Sequence, residues 1–199
     1  MRSVSVLLGV LLLTATPIGA QRRIAPAEWT IIRSAEQDLN VGVVRAGGQR
    51  EALRLTVSRP VQPFYQSAIS YTLPEDVSEG MRVRLRFRAR SATRNPLRAV
   101  VEKNGPPFTA VVEASPVLEP VWKEFVLTGT SPGYGAGGLA VRFQVGHQAG
   151  IIELAEVTLQ VLGRDPELEA ARAAVAPEAV QERIARHRKG RLLIRVLDA

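Results

Sequence analysis

Two histidines, no cysteine and a scatter of serines and carboxylates bound what the side chains of this chain could catalyse. The histidines are His147 and His187, and without Cys they cannot complete a zinc-binding set. Carboxylates and carbonyls could still hold a structural Ca²⁺, but no DxDxDG loop is present to supply them. Ser34, Ser67 and Ser70 lack the GxSxG elbow that exposes a nucleophile. His147 lies in GHQAG, which reads as a hairpin loop with a solvated imidazole rather than a triad base. Glu153 and Glu156 would suit acid–base work only at the right separation and burial. The tract GYGAGG at 133–138 has neither the Lys nor the strand–loop–helix setting of a phosphate loop, and reads as a surface turn. No catalytic and no metal-binding residue is assigned, and the chain as it stands is expected not to be an enzyme.

Binding chemistry is better represented. An extended polysaccharide needs flat aromatic faces for its C–H surfaces and planar hydrogen-bonding groups for its hydroxyls. Phe64 and Tyr65 occupy a turn before a strand, and Tyr134 sits on the Gly-rich loop. Gln144, His147 and Gln148 cluster near one strand end. Arg84, Arg86 and Arg142 fall at outward positions and are expected to meet on one sheet. Each also has a structural reading. Phe64 can cap the core edge, Tyr71 and Trp122 suit the core or its rim, and the arginines can pair across strands with Glu102 or Glu124. Aromatics are 5% of the chain, which argues against an extensive stacking platform.

These residues must be positioned by strands. From Glu28 to Val161 the pattern has period two, clearest in MRVRLRFRAR, where Met81, Val83, Leu85, Phe87 and Ala89 alternate with arginines. EWTII, NVGVVRA, EALRLTV, SAISYTL, LRAVVEK, FTAVVEA, VWKEFVL, LAVRFQV and IIELAEVTLQV repeat it. Turn signals such as Gly47-Gly48, Asn95-Pro96, Asn104-Gly105-Pro106-Pro107 and Ser131-Pro132-Gly133 separate them. The expected fold is all-β, an antiparallel β-sandwich over 21–163. From 164 to 199 the composition changes. Asp165 can cap a helix with Pro166 at its first position, and Pro177 starts a second helix. Glu182 and Arg186 have the favoured spacing of four, and Gly190 suits the stop. RLLIRVLDA then alternates like a terminal strand.

Residues 1–20 read as a secretory signal, with Arg2, an apolar run over Val4–Leu13 and Ile18-Gly19-Ala20 as a cleavage site. That run is too short to cross a bilayer, so no membrane span is expected after cleavage, and the protein is expected to be secreted or periplasmic. Net charge is +7, or +7 − 1 = +6 without Arg2. A basic balance suits an acidic polymer or a negative cell envelope, or simply keeps a surface soluble. Nucleic acid is not an expected partner, since no recognition motif accompanies the charge.

The segments PFYQSAISYTLPEDVSEGMRVRLRFRARS, RAVVEKNGPPFTAVVEASPVLEPVWKEFVLTG and LAVRFQVGHQAGIIELAEVTLQ together resemble CenC-like carbohydrate-binding modules of families 4, 9 and 22. These are jelly rolls of the galactose-binding-like kind, and the resemblance covers about residues 28–161. The tail VQERIARHRKGRLLIRVLDA resembles the connector into family 10 glycoside hydrolases, the endo-1,4-β-xylanase type, with their (β/α)₈ barrel. The resemblance implies a non-catalytic module of a xylanase-like protein that binds a β-1,4-linked plant polysaccharide such as xylan, with a C-terminal barrel as partner if one is encoded downstream. The family's catalytic glutamates lie on that barrel and have no counterpart here. Many such modules hold a structural Ca²⁺ with an Asp in the last strand. Here that position is Ala155, with Glu156 beside it, which weakens the expectation of calcium. Two other readings stand beside sugar binding: a docking domain for the barrel, and an envelope-associated protein that uses its basic face.

Overall fold

The structure, a computed structural model, describes residues 21–46 and 51–187. The expected secretory signal, Gly47-Gly48 turn, Gly190 stop and terminal strand lie outside the described residues.

Alternation in the sequence becomes two-sidedness in the strands. On β6 (Met81–Arg90), Val83, Leu85, Phe87 and Ala89 are buried while the arginines between them face outward. Before it come β1 (Gln21–Arg23), β2 (Thr30–Ile32), β3 (Leu39–Arg45), β4 (Glu51–Val57) and β5 (Ala68–Leu73). After it come β7 (Arg98–Lys103), β8 (Ala110–Ala114), β9 (Lys123–Thr130), β10 (Leu139–Gln144) and β11 (Gly150–Arg164). The three-residue β1 carries no alternation that a sequence pattern could show.

The strands form two antiparallel sheets packed face to face. The first runs β3-β4-β11-β6-β9, with β1 also paired to β11; the second runs β2-β5-β10-β7-β8. Strand β11 is the spine of the first sheet. One of its edges pairs with β6, while the other takes β4 along its first half and β1 along its second. A bulge interrupts its register with β6 between Ala155 and Thr158. There Glu156 adopts a left-handed φ of 53°, which re-aims the strand.

Between the sheets lies one apolar core. Phe87, Leu85, Leu55, Leu39 and Leu159 from the first sheet meet Phe143, Ile69, Val141 and Leu139 from the second. Each such side chain contributes roughly 1.5–3 kcal/mol on burial. Trp29 anchors the aromatic part, 5.5 Å from Phe143 and 6.1 Å from Tyr71, and Phe87 bridges Phe143 and Phe125 at 4.9 and 5.1 Å. Trp122 does not join them. It precedes Lys123, which pairs with Ala89, so strand parity sends it to the arginine side. There the guanidinium groups of Arg90 and Arg88 cover its ring at 4.7 and 5.8 Å.

Two helices follow the sandwich, α1 (Pro166–Val175) and α2 (Pro177–His187). The Asp165 carboxylate caps α1 by accepting from the N–H groups of Glu167 and Leu168, at 3.0 and 3.5 Å. On α2, Arg186 donates to Glu182 at 2.6 Å. Among the described residues no helix is long and apolar enough to cross a membrane.

Candidate functional site

The outer face of the second sheet gathers planar polar groups in three successive rows. Antiparallel pairing places Ala68, Gln144 and Arg98 in the first row. Ser70, Arg142, Val100 and Glu113 make the second, and Thr72, Ala140 and Glu102 the third. The rows span about 14 Å along the strands, since alternate residues repeat every ~7 Å. Alanine, serine and valine form the floor, so the long side chains can lie down on the sheet.

Those side chains fix one another. Arg142 donates through Nη1 to Glu102 Oε1 at 2.5 Å and through Nη2 to Asn104 Oδ1 at 2.8 Å. Its side chain is 11% exposed and that of Glu102 is 4%, so this ion pair is shielded from water. Arg98 donates to Gln144 Oε1 at 2.9 Å and pairs on its other side with Glu113. Asn104 Nδ2 donates to the Gly137 carbonyl at 3.1 Å and lies 3.4 Å from Thr72 Oγ1. Guanidinium, amide and carboxylate groups are thus held in place before any ligand arrives.

Aromatic rings stand at both ends. At the Gln144 end, His147 stacks on Phe64 at 3.9 Å, and Tyr65, 53% exposed, meets Phe64 edge-on at 5.9 Å. Close packing sets this turn: a Cβ on Gly146 would stand 2.3 Å from the Phe64 carbonyl oxygen. Partial burial pushes the His147 pKa below its ordinary value, and the positive charge of Arg98 adds to the effect. At the other end, Phe108 lies 5.3 Å from the Arg142 guanidinium with its ring half exposed. Its φ of 55° is a strained conformation for a side chain of this size.

The candidate residues divide accordingly. Phe64, Tyr65, Arg142, Gln144 and His147 come together at this bed. Gln148 is at its border, where its carbonyl accepts from Asn95 and its amide reaches the Thr93 carbonyl at 3.5 Å, fastening the loop after β10. Tyr134 is apart: its backbone pairs with Val77 and its ring packs against the core. Arg84 and Arg86 do not meet Arg142. They point outward from β6 in the first sheet, whereas Arg142 points outward from β10 in the second, on the opposite side of the sandwich. Alternation separates inside from outside but does not say to which sheet an outside belongs. Arg86 instead pairs with Glu124 at 2.7 Å, and Arg142 with Glu102, so the cross-strand reading of the arginines holds for both.

Arg98, Asn104, Glu113 and Phe108 also stand at this bed, and Glu102, expected only as an arginine's partner, stands with them. RAVVEK carries a signal for two of them, since its outward positions are Arg98, Val100 and Glu102. NGPPF likewise puts an aromatic at a turn tip.

The carboxylates of β11 are engaged by arginines. Glu153 accepts from Arg54 at 2.7 and 3.0 Å and from Arg90 at 2.6 Å; Glu156 lies 3.7 Å from Arg88; Ala155 has no donor atom in its side chain. Among the described residues no three His, Cys, Asp or Glu side chains converge.

No family model matches this chain, and no curated protein does. Solved structures do match. A CBM4 carbohydrate-binding module superposes with a TM-score of 0.56 over 68% of this chain and 96% of its own, at 22% identity. The CBM22-1 xylan-binding domain from Paenibacillus barcinonensis superposes with a TM-score of 0.55 over 76% and 100%, at 14% identity. A Stig cyclase from Fischerella, in complex with an indole compound, reaches 0.53 over 77% and 93%, at 12% identity. The fold is therefore the jelly-roll sandwich of carbohydrate-binding modules. A cyclase with the same fold means that function has to be argued from the site.

Proposed function

We propose that this chain is a carbohydrate-binding module with no catalytic residues of its own, and that it takes an extended neutral polysaccharide along the outer face of the second sheet. One observation carries the reading: the interlocked Arg142–Glu102–Asn104 and Arg98–Gln144–Glu113 groups, laid flat between exposed rings at both ends. Sugar hydroxyls both donate and accept, and this bed offers both functions in fixed orientation, so little side-chain entropy is lost on binding. The rings of Tyr65 and Phe108 offer apolar faces to the terminal sugars. A β-1,4-linked chain such as xylan has the extended shape the three rows require.

Affinity electrophoresis in gels containing xylan tests this. Tyr65→Ala and Phe108→Ala remove exposed rings and leave the core alone. Each is expected to weaken retardation about tenfold, near 1.4 kcal/mol. Retardation should hardly change between about 0.05 and 0.5 M salt, because the ligand is uncharged. Wild-type protein that no neutral β-glycan retards would overturn the reading, as would retardation unchanged in both variants.

For the longer protein we propose a secreted or periplasmic enzyme of the family 10 xylanase type, with α1 and α2 leading into its barrel. The sequence of the tail supports this. Translating the DNA beyond codon 199 in all frames tests it, and a barrel sequence with two strand-end glutamates is the expected result. A stop with no such sequence nearby would overturn it.

A further inference from the structure

The outer face of the first sheet carries a different chemistry. Arg82, Arg84, Arg86, Arg88 and Arg90 project from alternate positions of β6, about 7 Å apart. Pairing across β11 aligns Arg23 with Thr158 and Arg86, and Gln21 with Gln160 and Arg84. Carboxylates neutralise part of the row: Glu124 holds Arg86, Glu156 lies by Arg88, and Glu153 bridges Arg54 and Arg90. Arg23 and Arg84 make no ion pair among the described residues, and the Arg84 Nε is buried without a hydrogen-bond partner. Here the surface sinks into a concavity of about 300 Å³, lined by Gln21, Arg23, Arg86, Arg88, Glu156 and Thr158. That is at the small end of the range for ligand sites.

We propose that this concavity is a second polysaccharide site, specific for chains that carry a carboxylate on the sugar ring. Arg23, which lines the concavity, and Arg84, in the row of Gln21 at its border, meet the carboxylate, while Thr158, Gln21 and Glu156 meet ring hydroxyls. Charge density decides between polymers. Duplex DNA carries one negative charge per ~1.7 Å of axis, and the acidic groups interleaved here would repel it. A polyuronate spaces its charges one per ring and fills the intervals with hydroxyls, which matches a face where arginines alternate with carboxylates and amides. The two faces of the sandwich would then hold a neutral and an acidic polysaccharide at once.

Affinity electrophoresis of the full chain on polygalacturonate tests this, with xylan gels and a duplex DNA oligonucleotide as comparisons. Wild-type retardation on polygalacturonate should fall at least tenfold between about 0.05 and 0.5 M salt. The double variant Arg23→Gln/Arg84→Gln orphans no carboxylate and should weaken it at least tenfold. Glu124→Gln frees Arg86 and should strengthen it several-fold, a gain that misfolding cannot produce. Mobility in xylan should be the same for all three, so failure of the neutral site and failure of this one are distinguishable. Absence of binding to polygalacturonate, indifference to both variants, or DNA bound as tightly as polygalacturonate would each overturn the proposal.

Discussion

The Arg142–Glu102 pair is the firmest test of how the polar bed is built. Arg142→Ala leaves the Glu102 carboxylate, 4% exposed, without its 2.5 Å partner, and also removes the contacts to Asn104 and Phe108. Breaking a buried pair from one side costs 3–5 kcal/mol in general. Both side chains are shielded here, so we expect about 3 kcal/mol. At 2–4 °C per kcal/mol for a domain of this size, Tm falls by roughly 6–12 °C. The double variant Glu102→Gln/Arg142→Gln leaves two neutral amides that can bond each other, and should lose less than about 1.5 kcal/mol. Urea unfolding of wild type, Glu102→Gln, Arg142→Gln and the double variant closes the cycle and yields the coupling energy. An Arg142→Ala cost below about 1 kcal/mol would refute the reasoning, because it would mean the pair is solvated and the bed is not pre-organised. The double variant should remain folded yet lose retardation in xylan, separating the stability of the bed from its binding role.

Two further perturbations address the first sheet and the turn beside the bed. Burial alone would raise the Glu153 pKa, but hydrogen bonds from Arg54 and Arg90 outweigh it and hold the carboxyl below its ordinary value. Its contribution to stability is therefore complete above the unfolded-state pKa of about 4.3 and is lost as pH falls through the lower folded value; urea midpoints measured from pH 6 down to pH 3 should fall less steeply in Glu153→Gln than in wild type, and equal slopes would count against the assignment. Gly146→Ala drives a methyl into the Phe64 carbonyl oxygen, so the turn bearing Phe64 and Tyr65 must move; we expect a loss of about 1–3 kcal/mol and weaker retardation in xylan, with unchanged Tm and mobility as the contrary result.

The residues show why some of this was legible and some was not. MRVRLRFRAR needs only its own alternation to declare a half-buried strand, and Asp165-Pro166 declares a helix start from local chemistry. Strand parity also made Arg84, Arg86 and Arg142 outward, correctly. Their separation onto opposite faces depends on β6 pairing with β11 and β10 pairing with β7, and these partners are distant in sequence. Trp122 suits the core or its rim by size, and its parity, read from Lys123, leaves it half-buried among the arginines. Tyr134 fell on a glycine-rich turn that folds back to pair with Val77, a contact no local pattern announces. Phe108 was missed because a ring on a proline turn has no period to join. Glu102 and Arg98 were readable as outward residues of RAVVEK, yet only the pairing of β7 with β10 turns them into partners of Arg142 and Gln144.

The position of β11 also has a consequence for how the chain is made. Among the described strands it is the last of the sandwich to leave the ribosome and the central one of its first sheet. Until residue 164 emerges, the β3–β4 pair and the β6–β9 pair are separate hairpin-like fragments, each with an open edge facing a gap that only β11 can fill. Vectorial synthesis therefore cannot assemble this sheet progressively; it must wait and then close in one step, through contacts of long sequence separation. The nascent chain is exposed to strand-mediated aggregation during that wait, and the outward arginines of β6, already synthesised, keep those early fragments charged and apart.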